Sequence, residues 1–363
     1  MPSTPAVPIA APPIQAVRAG VRGTYVAFLG SGFAFASWAS RIPQVRDRLH
    51  LSPAQLGLLL LCIAAGSLLA LPLSGPVVHR FGSRRTVAAM AVLLTVGLAT
   101  VALGYLAGIV PVVVGLFLLG FANGAWDVAM NVQGALVERH LGRSIMSRFH
   151  AGWSFGTVAG ALVGAAMVVL RVPVTAHLLV VAIVIGLVVP WGARAFVDDA
   201  AGVSEQQEEA GQRSALAAWR EPRTLLIGVF VLAFAFAEGT GNDWIGIAMI
   251  DGYGTSAAVG TLAFAVFLSA LGIAGTLLFV FAPGTPLAFA GAVLWGLGVS
   301  LGFPVGMSAG ADEPQYAAGR VSVIASIGYC AFLAGPPTVG LLGDQVSVLR
   351  AVTAVAVLLG LAA

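Results

Sequence analysis

The chain has 363 residues, of which 59% are hydrophobic and 9% charged, and its mean hydropathy is +0.97. Soluble domains carry about a quarter charged residues, so this sequence cannot cover a water-facing surface and reads as an integral membrane protein. The formal net charge of +3 gives no case for nucleic-acid binding, and the two cysteines, Cys62 and Cys330, sit in apolar runs with neither disulfide-framework nor metal-ligand spacing.

Residues 1–22 are rich in proline, and no apolar run precedes Arg18 and Arg22. This pattern predicts a disordered tail rather than a signal peptide. Crossing a hydrocarbon core of about 30 Å takes about 20 apolar residues. Candidate spans follow at 23–41, 53–76, 86–107, 110–137, 146–170, 173–195, 223–250, 256–282, 286–308, 320–342 and 347–363. Alternating ten-residue strands are absent, so an all-α polytopic protein is expected rather than a barrel. The longest polar stretch, 196–222, reads as a cytoplasmic linker. It divides an N-terminal bundle (23–195) from an incomplete C-terminal one (223–363).

All the basic residues are arginine, and their placement predicts orientation. With the N-terminus cytoplasmic, 12 of the 16 arginines before residue 250 fall in the tail, the 77–85 and 138–148 loops and the 194–223 linker. Arg41, Arg46, Arg48 and Arg171 fall in outer loops.

The halves resemble each other. "FAFA" at 33–36 recurs at 234–237, and "LSPAQLG" at 51–57 matches "TSAAVG" at 255–260. "SRFHAGWSFG" at 147–156 matches "GRVSVIASIG" at 319–328. The matches are collinear, which points to duplication of a unit of about six helices. Their offset falls by about 30 residues after 260, so the second half is short by about one helix and by the counterpart of the basic turn at 75–85. The stretch 256–282 suits one tilted span, or a re-entrant hairpin bending near Gly272. The single span is preferred, because broken backbone exposed to lipid is costly.

Two repeats, a long central loop and a basic turn after the second span resemble the major facilitator superfamily. Its loop motif, roughly G-x-x-x-D-R-x-G-R-R, is met by Gly75, Arg80, Gly82, Arg84 and Arg85, with His79 in place of the usual aspartate. The resemblance implies a gating role for this turn. It also implies a weaker latch, because a histidine is largely neutral near pH 7. "SWASRIPQVRDRLHLSPAQLGLLLL", "GAWDVAMN" and "RFHAGWSFG" narrow the resemblance to a bacterial subgroup related to fucose–proton symporters that includes rhizopine-cluster membrane proteins. Symport is implied by that likeness alone.

Ionisable groups at bilayer depth are costly and call for a reason. "GFANGAWDVAMN" sets Asn123, Asp127 and Asn131 on one helical stripe. Asp127 is then a proton or substrate site facing a central cavity, or a structural acid bonded to a neighbouring helix. "AFAFAEGTGNDWIG" places Glu238 and Asn242 on one face, flanked by Gly239 and Gly241 that weaken the helix. Asp243 reads equally as an interfacial partner of Arg41 or Arg46. Trp153 and Trp38 are candidate solute-stacking rings, with membrane-interface anchoring as the alternative for each. His150 reads as an interfacial anchor. Gly156, Gly160 and Gly164 form a close-packing face.

The expectation is a secondary transporter in the bacterial plasma membrane that rocks about a midplane cavity. Asp127 and Glu238 would couple it to protons. Trp38, Asn123, Asn131, Trp153 and Asn242 would bind a small polar solute. It would be a monomer in the lipid bilayer, without cofactor, metal or enzymatic activity. A truncated carrier relative that no longer transports is the alternative.

Overall fold

The computed structural model describes residues 13–143, 145–198, 219–257, 259–260, 263, 272–299 and 317–362. All of the regular structure among them is helical. In chain order these are α1 (Ile14–Ala39), α2 (Ile42–Leu49), α3 (Pro53–Val78), α4 (Arg80–Ala107), α5 (Ile109–Leu141), α6 (Met146–Val169), α7 (Val174–Ala193) and α8 (Pro222–Tyr253). They continue with α9 (Gly272–Phe281), α10 (Thr285–Val299), α11 (Ala317–Val346), α12 (Val348–Ala351) and α13 (Thr353–Ala362). Helices α3 to α8 are long and apolar enough to cross a membrane. In hydrocarbon a helix satisfies its own backbone polar groups, which is why the apolar runs take this form.

Local sequence sets several boundaries. At the start of α3, Gln55 N donates to Ser52 Oγ while Ser52 N donates to Gln55 Oε1, and Pro53 follows the cap. This reciprocal pair satisfies two otherwise unpaired donors. Helix α5 stops at Gly142, which takes the left-handed φ of 60° that an L side chain resists. Helix α1 begins at Ile14 and already buries Val17 and Gly20. The expected tail therefore ends earlier than residue 22, with residues 1–12 outside the described part. The basic turn is also tighter than expected. Helices α3 and α4 abut, the chain bends at Gly82 (φ 78°), and Ser83, Arg84 and Arg85 lie in the first turns of α4.

Small residues let the helices approach closely. The Gly156–Gly160–Gly164 face lies on α1, where added Cβ atoms would strike Leu29 O, Phe33 O and Ser40 Oγ. Gly66 and Gly120 do the same between α3 and α5. With no hydrophobic driving force between helices in lipid, packing and interhelical hydrogen bonds hold them. Thr95 Oγ1, for example, donates to Ala182 O of α7 at 3.0 Å. On α7, Val181, Ile185 and Val189 are buried while Val180, Ile183 and Leu187 are exposed, which separates a packed face from a lipid-facing one.

The single-span reading of 256–282 is overturned. Tyr253, at the end of α8, donates its hydroxyl proton to Phe279 O near the end of α9. Gly260 packs on Gly246, seven residues back along α8. The segment therefore leaves one end of the bundle beside α8 and returns to that same end, as a hairpin would. Helix α9 packs against α10 and α13. Residues 199–218 of the expected linker, 264–271 of the expected eighth span and 300–308 of the expected ninth lie outside the described residues.

Candidate solute cavity

The halves meet chiefly through α3 and α11. Gly57 and Gly340 let the two backbones approach at Pro336 and Pro53. Beyond this crossing, Asp344 at the end of α11 accepts from Ser52 Oγ (3.2 Å) and Ala54 N (3.1 Å) at the N-terminus of α3. Arg46 of α2 pairs with Asp251 of α8 at 2.6 Å. These contacts close one end, which carries Ser52 and Tyr253. The arginines of the α3–α4 turn lie at the other, basic end.

Between the halves is a cavity of about 260 Å³. Ser31, Asn123, Asp127 and Trp153 line it from the N-terminal half; Glu238, Asn242, Asp243 and Tyr329 line it from the C-terminal half. Asp127 and Glu238, far apart in sequence, thus share one space. Asn131 is one turn from Asp127 and is not among the lining residues. Its amide donates to Asp127 O (2.8 Å) and Oδ1 (3.2 Å), so it orients the carboxylate. Asn123 Oδ1 accepts from Ser31 Oγ at 3.1 Å, tying α5 to α1 at the cavity wall. Trp153 stacks on Phe35 with ring centres 6.5 Å apart.

Trp38 stands apart. It is 1% exposed and packed in the N-terminal half, away from the cavity lining. His150 lies against the edge of Phe28 with ring centres 5.1 Å apart, also off the lining. Asp243 is not the partner of Arg41 or Arg46. Arg41 is buried and donates to His177 Nδ1 (2.9 Å) and Val172 O (3.2 Å), while Arg46 holds Asp47 and Asp251. Asp243 lines the main cavity and, with Asn242, a smaller void beside Ser40 and Pro43 near the closed end. In the turn motif, Gly75 has open space around it, Arg84 and Arg85 are exposed, and the Arg80 guanidinium lies 5.6 Å from the Phe81 ring centre. Ser83 and Gln133 are hydrogen-bonded at 3.1 Å and join α4 to α5.

Ser31, Ser67, Tyr329 and Phe332 escape the sequence reading. Tyr329 had a usable signal, a lone phenol within an apolar span, whereas the two serines look like ordinary small packing residues. Residues from both sequence halves around one midplane cavity match the architecture of a carrier. The model of the Major Facilitator Superfamily matches residues 24–278. The chain belongs to that superfamily. It is 31% identical to the uncharacterized transporter y4wD of Sinorhizobium fredii, covering 89% of this chain and 91% of that protein. It is 27% identical to the membrane protein MosC of Rhizobium meliloti, covering 89% and 84%. Among solved structures, a bacterial homologue of the human lysosomal transporter Spinster, inward-facing and unoccupied, aligns with a TM-score of 0.75 and 13% identity. That match covers 97% of this chain and 96% of the other. A point mutant of the nucleoside transporter NupG aligns with a TM-score of 0.73 and 11% identity, covering 95% and 98%. At these identities the likeness is one of fold. This major facilitator is a multi-pass, all-α membrane transporter by family.

Proposed function

We propose that this transporter moves a small polar solute by alternating access, driven by protons that load and leave Asp127 and Glu238. The observation that carries this reading is that carboxylates from the two halves line one cavity between them. A carboxylate held away from water favours its neutral form, so it gains or loses a proton as its surroundings change. A rocking motion of the halves changes those surroundings for both groups at once. Trp153, Asn123 and Asn242 offer a stacking face and amides to the solute, and Asn131 acts through Asp127. The buried position of Trp38 gives it a packing role instead.

The arginine bias supports a cytoplasmic N-terminus in the plasma membrane. In that orientation the closed Ser52–Asp344 end faces outward, and Arg80, Arg84 and Arg85 lie at the cytoplasmic gate. The remnant alternative is disfavoured because side chains from both halves still line one cavity.

The test is uptake into proteoliposomes under an imposed pH gradient. Gradient-driven uptake is expected in the wild type and not in Asp127→Asn combined with Glu238→Gln. Unchanged gradient-driven uptake in that double variant overturns the proton role, and no transport of any solute by the wild type favours the remnant.

A further inference from the structure

We infer that the solute carries a positive charge, as a small organic ammonium, and that it competes with protons for the cavity carboxylates. This rests on the transporter reading above and names the class of its substrate.

The cavity is lopsided in charge. Among the described residues its lining carries three carboxyl groups, those of Asp127, Glu238 and Asp243, and neither an arginine nor a histidine. The sequence has no lysine. The buried arginines are engaged elsewhere, Arg41 with His177 and Arg320 with Glu221. Asp127 accepts one side-chain hydrogen bond, from Asn131. Among the described residues, Glu238 and Asp243 accept no hydrogen bond and meet no cation.

Asp127, Glu238 and Asp243 are each half-buried, and carboxylates that share one cavity repel one another while partial loss of water disfavours the charge on each. The site therefore favours positive charge taken from solution. A proton is one source and a cationic solute is the other. An anion would add to the repulsion. A neutral polyol would leave the charge uncompensated, so protons alone would have to neutralise the site.

The remaining lining suits an organic cation rather than a metal ion. Among the described residues no three of His, Cys, Asp and Glu converge closely enough to hold a metal. The walls carry aromatic rings from both halves, Phe35 and Trp153 on one side and Tyr329 and Phe332 on the other. Ring faces attract ammonium groups electrostatically. At about 30 Å³ per water, a space of 260 Å³ holds on the order of nine waters, which limits the solute to metabolite size. An ammonium has three donors, and the carboxylates that line the cavity from both halves are acceptors for them. Each ammonium that binds a protonated site releases one proton, so the net charge of the cavity is conserved. This predicts exchange of solute for protons.

The experiment uses the purified full-length protein with three matched probes, glucosamine, glucose and gluconate. Binding is read by tryptophan fluorescence and thermal shift, and proton release by a pH indicator in weak buffer. Glucosamine alone should bind, should release about one proton per molecule bound, and should weaken tenfold or more as pH falls through the range where the carboxyls protonate. Asp243→Asn and Glu238→Gln, each checked for a wild-type melting curve, should each weaken binding and reduce the proton release. Preferential binding of glucose or gluconate, or binding of none of the three, overturns the inference. Glucosamine binding with proton release but no uptake into proteoliposomes would support the charge assignment and sink the transport reading. Proton-driven uptake of glucose with no amine binding would do the reverse.

Discussion

Asp344→Ala is the most direct way to probe how the closed end is held. The Asp344 carboxylate accepts from Ser52 Oγ and Ala54 N, and so sits on the N-terminus of α3 from the other half of the molecule. A helix N-terminus carries partial positive charge, and an exposed anion there contributes about 0.3–1 kcal/mol. Each hydrogen bond adds about 0.5–1.5 kcal/mol net. Asp344 is exposed, so water replaces the lost bonds easily and the low ends of both ranges apply. The sum is about 1–2 kcal/mol, a factor of roughly 5–30 in an equilibrium constant. If the state open at this end has a population of about 1%, within the usual range for a minor conformer, removing the carboxylate raises it to roughly 5–20%. Spin labels on cysteines placed at Arg48 and Ser256, exposed on opposite halves of that end, would report the two populations once Cys62 and Cys330 are replaced. An unchanged distance distribution in Asp344→Ala would refute the latch, because every term in the sum comes from that carboxylate.

Gly120→Ala should lower the melting temperature in detergent, at an overpacking cost of about 1–3 kcal/mol. A Cβ there lands on Ile63 O, which is backbone and cannot swing aside. Gly75→Ala, with nothing within 4 Å of the new atom, should leave stability unchanged or raise it by about 0.5–1 kcal/mol. A third prediction concerns acid. The Arg320 guanidinium, donating to Glu221, holds that carboxyl below its ordinary value of 4.5, with a smaller contribution from the Thr224 hydroxyl. A depressed carboxylate contributes stability above its ordinary value and loses it as pH falls through the lowered one. Thermal melts should thus show the α8–α11 junction weakening below about pH 4.5 in the wild type, and a flatter acid limb in Glu221→Gln. Equal acid limbs would count against the pair.

The spans were legible because hydrocarbon imposes a length and a composition on every crossing helix, and both are written in one dimension. Asp127 and Glu238 were legible for a related reason, since a carboxylate in an apolar run has few permitted surroundings. Asp243 was harder. It sits five residues from Glu238, off the i, i+4 face, and only the kinship of its neighbours in space shows that both acids reach the cavity. Trp38 illustrates the converse: an aromatic near a helix end suits an interface, a binding wall and a packed core equally well, and only packing decides. The 256–282 segment was misjudged on energetics. The cost was set against lipid, whereas the described α9 packs on α10 and α13, and neighbour identity is not encoded in local hydropathy.

The place of α9 bears on which parts of the C-terminal half shape the cavity. The described lining residues come from α1, α3, α5, α6, α8 and α11. None of these described residues comes from α9, which packs against α10 and α13. Solute recognition and the mechanical join are separable on this plan. Gly275, whose Cβ would strike the backbone of Trp295, packs α9 on α10 without touching the cavity. Gly275→Ala should lower the melting temperature while leaving solute preference intact, read as the ratio of binding constants for two probes at a temperature where the variant is folded. A changed ratio would mean that the hairpin shapes the cavity, and the division between wall and periphery would fail.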